Sequence, residues 1–280
     1  MASVGLINRL RVSRVVDFGV YLDDGEGGDI LLPRREIPKN VEAEPDAWLD
    51  VFVYHDSEDR RIATGRTPRV KLGQFAALQV VDINRTGIFL DWGLSKDLFM
   101  PHSEQKRPLQ VGDWVVVHAY QDKYSARLLA SAKLESFAKF DATESGYQPN
   151  DAVELLVTER TEHGYMCLVD NQWLGLLHAH EALVPVRVGQ KLSGYIRELR
   201  ADGRLSLSLQ MHGQQVRDAL SEQILAALDE EGGRLDLSDK SSAAAIAERF
   251  GVSKGNYKKT IGQLYKQGLI EIFPDHIKRS

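Results

Sequence analysis

The sequence is short of everything that would make it a disulfide-bonded, zinc-clustered, membrane-spanning or uniformly basic protein. It has one cysteine, Cys167, in 280 residues, which excludes a disulfide framework and any cysteine-rich zinc site. No run approaches the ~18 uninterrupted apolar residues that a membrane span needs. The start, MASVGLINRL, lacks the basic and apolar regions of a secretion signal, so the expected compartment is the cytoplasm. Positive charge is not in surplus either: 35 Lys and Arg face 40 Asp and Glu, a net −5. An overall acidic chain is no general nucleic-acid glue, so any anion-binding face has to be local. No Walker loop, Rossmann glycine pattern or nucleophile elbow is present. The expectation is therefore a protein without catalysis, cofactor or metal.

What the chain does have is an internal repeat. Three segments align: DFGVYLDDGEGGDILLPRRE from Asp17, RTGIFLDWGLSKDLFMPHSE from Arg85, and EHGYMCLVDNQWLGLLHAHE from Glu162. Each has a glycine (Gly19, Gly87, Gly164) followed by four strand-type residues. Pro33, Pro101 or His178 follows that glycine by 14 positions, and Glu36, Glu104 or Glu181 by 17. All three landmarks shift by 68 and then 77 residues between copies. The repeat continues in VGDWVVVHAY from Val111 and VGQKLSGYIREL from Val188. Each copy closes on an arginine four residues before a hydroxyl: Arg60 and Thr64, Arg127 and Ser131, Arg204 and Ser208.

Within each copy the apolar residues alternate as in a half-buried strand: Val20 and Leu22 against Tyr21, Ile88 and Leu90 against Phe89. Turn signals such as DDGEGGD and ADGR separate the runs. Each copy reads as about five short strands in roughly 65 residues, a small barrel of the OB type. The Gly-x-aromatic start, the GLLH-like turn, the glutamate, Val-Gly and the closing Arg-x-x-x-Ser together resemble the RNA-binding S1-type domain. That resemblance implies an RNA face. In the first copy it comprises Phe18, Tyr21, Asp56 and Arg60, with Pro33 where the family has histidine. In the second it comprises Phe89 and Arg127, with Thr86, Pro101 and Lys123 departing from the pattern and His102 next door. In the third it comprises His163, His178 and Arg204, with Met166 and Arg200 departing.

After Gln210 the period changes from two to 3.6. Val216, Leu220, Ile224 and Leu228 form one helical stripe, stopped at Gly232 and Gly233. RLDLSD is short and strand-like. SSAAAIAERFG opens with N-capping serines and ends at Gly251, and Ser253 is a candidate N-cap for VSKGNYKKTIGQLYKQG. LIEIFP reads as a strand ended by Pro274. This order, with a tight Gly-Val-Ser turn between the last two helices, is that of a winged helix. Lys254, Asn256, Lys258 and Lys259 crowd the start of the recognition helix, and residues 251–280 carry +4. Such a module contacts either nucleic acid or a protein partner.

The expected fold is thus mainly β with a C-terminal α/β module: three tandem OB-fold (S1-type) barrels at 1–66, 67–134 and 145–211, followed by a winged helix at 213–280. This rare combination resembles the conserved virulence factor B (CvfB) family of bacterial RNA-binding regulators over nearly the whole chain. The resemblance implies a cytoplasmic role in post-transcriptional control.

Charge per segment favours the second barrel as the anion-binding one: residues 67–134 carry +3, against −4 for 1–66 and −2 for 147–211. It interleaves Phe89, Trp92, Phe99, His102, Tyr120 and Tyr124 with Arg85, Lys96, Lys106, Arg107, Lys123 and Arg127, a pattern suited to stacking the bases of single strands. Phe99, inside the apolar run LFMP, is expected in the core. Cys167 is expected to be buried. His178, His180 and Glu181 lack a further ligand cluster and are not read as a zinc site. Asp23, Asp24, Glu26 and Asp29 fall in a hairpin tip and are read as a solvated turn. Three readings of function compete: a single-stranded-RNA-binding regulator, a DNA-binding regulator using the winged helix, and an RNA-recruiting subunit whose winged helix contacts protein.

Overall fold

The landmark glycines open the second strand of each repeat because no side chain fits there. A Cβ would lie 2.3 Å from the Leu32 carbonyl oxygen at Gly19, 2.6 Å from that of Met100 at Gly87, and 2.1 Å from that of Leu177 at Gly164. Each glycine pairs across the ladder with the next landmark: Gly19 with Pro33, Gly87 with Pro101, Gly164 with His178. The third landmark closes the barrel. Thr64 Oγ1 donates to Glu36 at 2.8 Å, Ser131 Oγ to Glu104 at 2.6 Å and Ser208 Oγ to Glu181 at 2.7 Å. The same hydroxyls accept from the backbone two residues on, at Arg66, Lys133 and Gln210.

The computed structural model describes residues 2–39, 41–182, 185–211 and 214–280, the last without the side chains of 214–216. The first barrel comprises β1 (Ile7–Val16), β2 (Gly19–Asp23), β3 (Asp29–Pro33), β4 (Trp48–His55) and β5 (Arg61–Thr64). The second comprises β6 (Phe75–Ile83), β7 (Gly87–Asp91), β8 (Leu98–Pro101), β9 (Trp114–Gln121) and β10 (Leu128–Ser131). The third comprises β11 (Ala152–Thr161), β12 (Gly164–Val169), β13 (Trp173–His178), β14 (Lys191–Leu199) and β15 (Leu205–Ser208). All three are closed and share one strand order, with the third strand parallel to the fifth. Their first strands bulge at the same place, after Val12, Val80 and Val157. The expected five-stranded OB architecture is what the chain adopts.

The C-terminal module comprises α1 (Gln214–Glu230), β16 (Arg234–Leu235), α2 (Ala243–Phe250), α3 (Lys254–Lys266), β17 (Ile270–Ile272) and β18 (Ile277–Arg279). Ser242 and Ser253 cap α2 and α3, accepting from Ala245 and Asn256, and Gly251 ends α2 in the left-handed conformation. Leu220, Ile224 and Leu228 pack with Tyr257, Ile261 and Leu264 in a core of the module's own. Val216, the first step of the stripe, lies outside the residues whose side chains are described. The final strand β18 was not legible in the sequence, yet it is the middle strand of the small sheet, between β16 and β17. It is three residues long, too short to show a period.

By contacts the chain divides into two units: Met1–Ala138 with Val188–Gln190, and Lys139–Arg187 with Lys191–Ser280. In the first unit two barrels are fused by aromatic packing. Phe52 and Tyr54 of β4 meet Trp92 edge-on, with ring centroids 5.6 and 6.0 Å apart, and the Tyr54 hydroxyl bonds Ser95 at 3.2 Å. In the second unit the Gln210 side chain bonds both the Gly251 carbonyl and the Ser253 N–H, tying the end of the third barrel to the helix-turn-helix corner.

The hairpin tip at Asp23–Asp29 departs from the solvated turn read from its acids. Asp24 is 3% exposed. Its carboxylate accepts from the Glu26 and Gly28 N–H groups and pairs with Arg61 at 2.6 Å. Those backbone bonds first, and Arg61 after them, hold its pKa down to about 2.

Two outcomes follow from this frame. Ser208→Ala removes the hydroxyl that donates to the buried Glu181 carboxylate and lowers the stability of the third barrel by about 1–3 kcal/mol, read as a shift in its urea unfolding midpoint. Asp24 contributes stability in full above about pH 4, its unfolded value, and that contribution fades as the pH falls through about 2. An Asp24→Asn variant therefore loses less stability than the wild type between pH 4 and pH 2 in acid titration followed by circular dichroism.

Candidate nucleic-acid interface

The second and third strands of each barrel present alternate residues outward, and the interface is built there. In the second barrel Phe89 and Phe99 are directly paired in the ladder, with centroids 5.4 Å apart. Phe99 therefore does not enter the core as its apolar run suggested; Leu98 and Met100 on either side of it do. A strand in an apolar run still alternates, and the outward member here widens the aromatic platform. Trp92, taken from the sequence as a platform, is corrected in the opposite sense. It is 3% exposed, wedged against Phe52 and Tyr54, and its indole N–H donates to the Lys96 carbonyl. It belongs to the second barrel's buried cluster at the point where Phe52 and Tyr54 of the first barrel join it.

The Phe89–Phe99 platform floors a groove of about 400 Å³ bounded by Thr86, Lys96 and Arg127 and, across from them, by His55 and Asp59 of the first barrel. The first barrel's acidic β4–β5 loop thus forms one wall. Asp59 is ion-paired with Arg127. The Lys96 ammonium bonds the His55 and Asp56 carbonyls at 3.2 and 2.5 Å, and burial there lowers its pKa. His55 is held below its ordinary pKa by burial and by Lys96 and Arg127. His102 Nε2 contacts the Asn84 carbonyl at 2.7 Å, next to Thr86. Lys123 lies on the exposed β9–β10 turn beside the fully open Tyr124. Tyr120 is turned aside and stacks on Phe137.

In the first barrel Phe18 is 58% exposed and meets Tyr21 edge-on at 6.3 Å. The Arg14 guanidinium covers Tyr21 at 4.2 Å. Arg60 is held by Asp56 and Glu58, both at 2.8 Å. This barrel keeps the aromatic pair but neutralises its arginine within its own loop.

In the third barrel the outward positions carry Met166 and Leu176, paired in the ladder. His178 is half-buried and stacks with His180 at 5.4 Å. Burial first, then the charges of His180 and Arg197, lowers its pKa and leaves the ring neutral near pH 7. His163 and Arg204 are exposed. Cys167 is buried, and that burial pushes its thiol up to about 12, so it is no nucleophile. Among the described residues no group of three or more His, Cys, Asp or Glu could hold a metal ion. Among them, too, no helix is long and apolar enough to cross a membrane.

At the start of α3 the lysines are less free than their spacing suggested. Lys258 pairs with Asp239 at 3.4 Å, and the Lys254 ammonium bonds the Lys240 carbonyl at 3.3 Å. Asn256 is buried at 8% exposure. Lys259 is exposed.

Closed five-stranded barrels with aromatic and basic outer faces define a protein of the OB-fold nucleic-acid-binding class. Comparison with known proteins agrees with that class. The S1 domain model matches residues 4–66 and 72–133, and the CvfB-like winged helix domain model matches residues 222–278. YitL of Bacillus subtilis is 28% identical over 278 residues, covering 93% of this chain and 88% of its own. Conserved virulence factor B of Staphylococcus aureus is 25% identical over 276 residues, covering 96% and 91%. A solved multidomain protein with nucleic acid binding domains from Streptococcus pneumoniae aligns over 99% of both chains at 22% identity with a TM-score of 0.45. The chain thus carries S1 domains and a CvfB-like winged helix domain, and is similar over nearly its whole length to conserved virulence factor B and YitL.

Because Asp59 occupies the arginine that faces the platform, Asp59→Asn tightens single-stranded oligonucleotide binding by about two- to fivefold, the scale of an exposed ion pair. It also steepens the salt dependence, since one more cation is free to displace counterions. Fluorescence anisotropy across a salt series reads both.

Proposed function

We propose that this chain is a non-catalytic, cytoplasmic RNA-binding regulator that grips single-stranded RNA through several individually weak patches and acts after transcription. The observation that carries this reading is the Phe89–Phe99 platform with Arg127 and Lys96 at its edge. Bases splayed from a single strand stack on such a platform whatever their sequence, and duplex DNA does not expose them. Each of the other two faces lacks part of the site: the first holds its arginine within its own acidic loop, and the third has Met166 and Leu176 at the positions of Phe89 and Phe99. Weak sites on one chain add up through effective concentration when one strand reaches several of them. A DNA-reading winged helix is the less favoured alternative, because two of the three lysines at the start of α3, Lys254 and Lys258, are engaged within the module.

Phe89→Ala is expected to weaken single-stranded RNA binding by about 1–3 kcal/mol with little change in melting temperature. Trp92→Ala, by contrast, damages stability by unpacking two barrels. Competition between unlabelled single-stranded RNA and duplex DNA against a labelled RNA measures the preference. Stronger competition by duplex DNA, lost in a Lys258→Ala, Lys259→Ala double variant, would replace this reading with the winged-helix one.

A further inference from the structure

The third barrel is the one whose strands supply no aromatic platform: Met166 and Leu176 stand where the second barrel has Phe89 and Phe99. The segment entering this barrel brings one. Lys139 lies against β13 in a parallel bridge to Trp173; its N–H donates to Gln172 at 2.9 Å and its carbonyl accepts from Leu174 at 2.8 Å. Three residues on, the fully buried Ala142 donates to the Gly203 carbonyl at 2.8 Å. Of the two exposed residues between these anchors, Asp141 accepts from the Thr143 N–H, and the aromatic one is Phe140, 43% exposed. It borders a cavity of about 130 Å³ together with Met166, Leu176, His178, Arg200 and Arg204.

We propose that Phe140 completes a single-nucleotide pocket on the third barrel, in which one unpaired base lies against its ring and the two arginines take the adjoining phosphate. The inference deepens the RNA-binding reading above and rests on it. The pocket is the size of one base, not of a stretch of chain. Its apolar floor of Met166 and Leu176 accepts any base face, and a phenyl ring on a segment pinned on both sides loses little freedom on stacking. The charges complement a phosphate. At the position where the first repeat has Asp56 and the second Lys123, the third has Arg200, so two arginines four residues apart flank the opening. Among the described residues Arg200 is paired with Asp202, at 3.4 Å and about half exposed on both sides, a contact that a phosphate displaces cheaply. The neutral His178 ring at the far wall is free to hydrogen-bond a base edge. The linker thereby becomes part of the site and not a spacer.

The test separates stacking from simple covering of the barrel. Full-length Phe140→Leu keeps an apolar cover but removes the ring; Phe140→Tyr keeps the ring. Binding to a labelled oligouridylate is followed by anisotropy and folding by thermal melting. The expected result is an affinity at least about fivefold weaker for Phe140→Leu, wild-type affinity for Phe140→Tyr, and equal melting for all three. If the wild type binds the RNA and Phe140→Leu binds it equally well, the pocket is wrong while the RNA reading stands. If both variants weaken alike, ring stacking is not what Phe140 supplies, and the pocket is again overturned. If the wild type fails to bind any single-stranded RNA, the functional reading itself falls and takes the pocket with it.

Discussion

One hydrogen bond recurs in each barrel and the rest of the architecture hangs on it: a glutamate after the third strand accepting from a hydroxyl at the end of the fifth. A small barrel has a thin core and no disulfide here to help it. What closes it must therefore fix register as well as contribute energy. The glutamate–hydroxyl bond joins strands that run parallel and are distant in sequence. The glycine opposite Pro33, Pro101 or His178 sets the other half of the register by allowing two backbones to touch. Once both are in place, the outward residues of the second and third strands and the arginine at the start of the fifth fall on one face.

This explains what was legible from residues alone. The three landmarks at constant offsets were visible because each is dictated by backbone geometry within one barrel, and geometry of that kind leaves no choice of residue. Strand alternation, the serine caps and the glycine stops are local for the same reason. Tyr21 and Phe89 were placed outward by period two, and that is where they are, whereas Phe18, just before its strand, came from the family resemblance. What period two cannot say is what the outward side meets. Trp92, just past the strand, is buried where two barrels meet, while Phe89 lines a groove. The partner of Arg127 comes from the preceding repeat, and Phe140 from a segment that belongs to no repeat. None of these has a sequence signature, because each depends on how separately folded pieces come together.

Phe99 and Asp24 mark the opposite error, of reading composition over geometry. An apolar run does not suspend the pleat, so Phe99 faces out between two core residues. An acidic turn is not solvated throughout, because one carboxylate in it can be consumed by the turn's own N–H groups.

The aromatic wedge of Phe52, Tyr54 and Trp92 has a consequence for how a polymer would experience this molecule. A flexible tether between two weak sites trades reach for probability, and the second contact is won by diffusion of the tether. Two barrels locked face to edge cannot do that. On the RNA-binding reading their faces act as consecutive notches in one rigid ruler, so the spacing between two grasped nucleotides is set by that aromatic packing and not by chain statistics. A strand whose own stiffness or secondary structure mismatches that spacing is then rejected without any base being read. On the same reading, length and local flexibility of the strand become selection criteria beside the bases themselves.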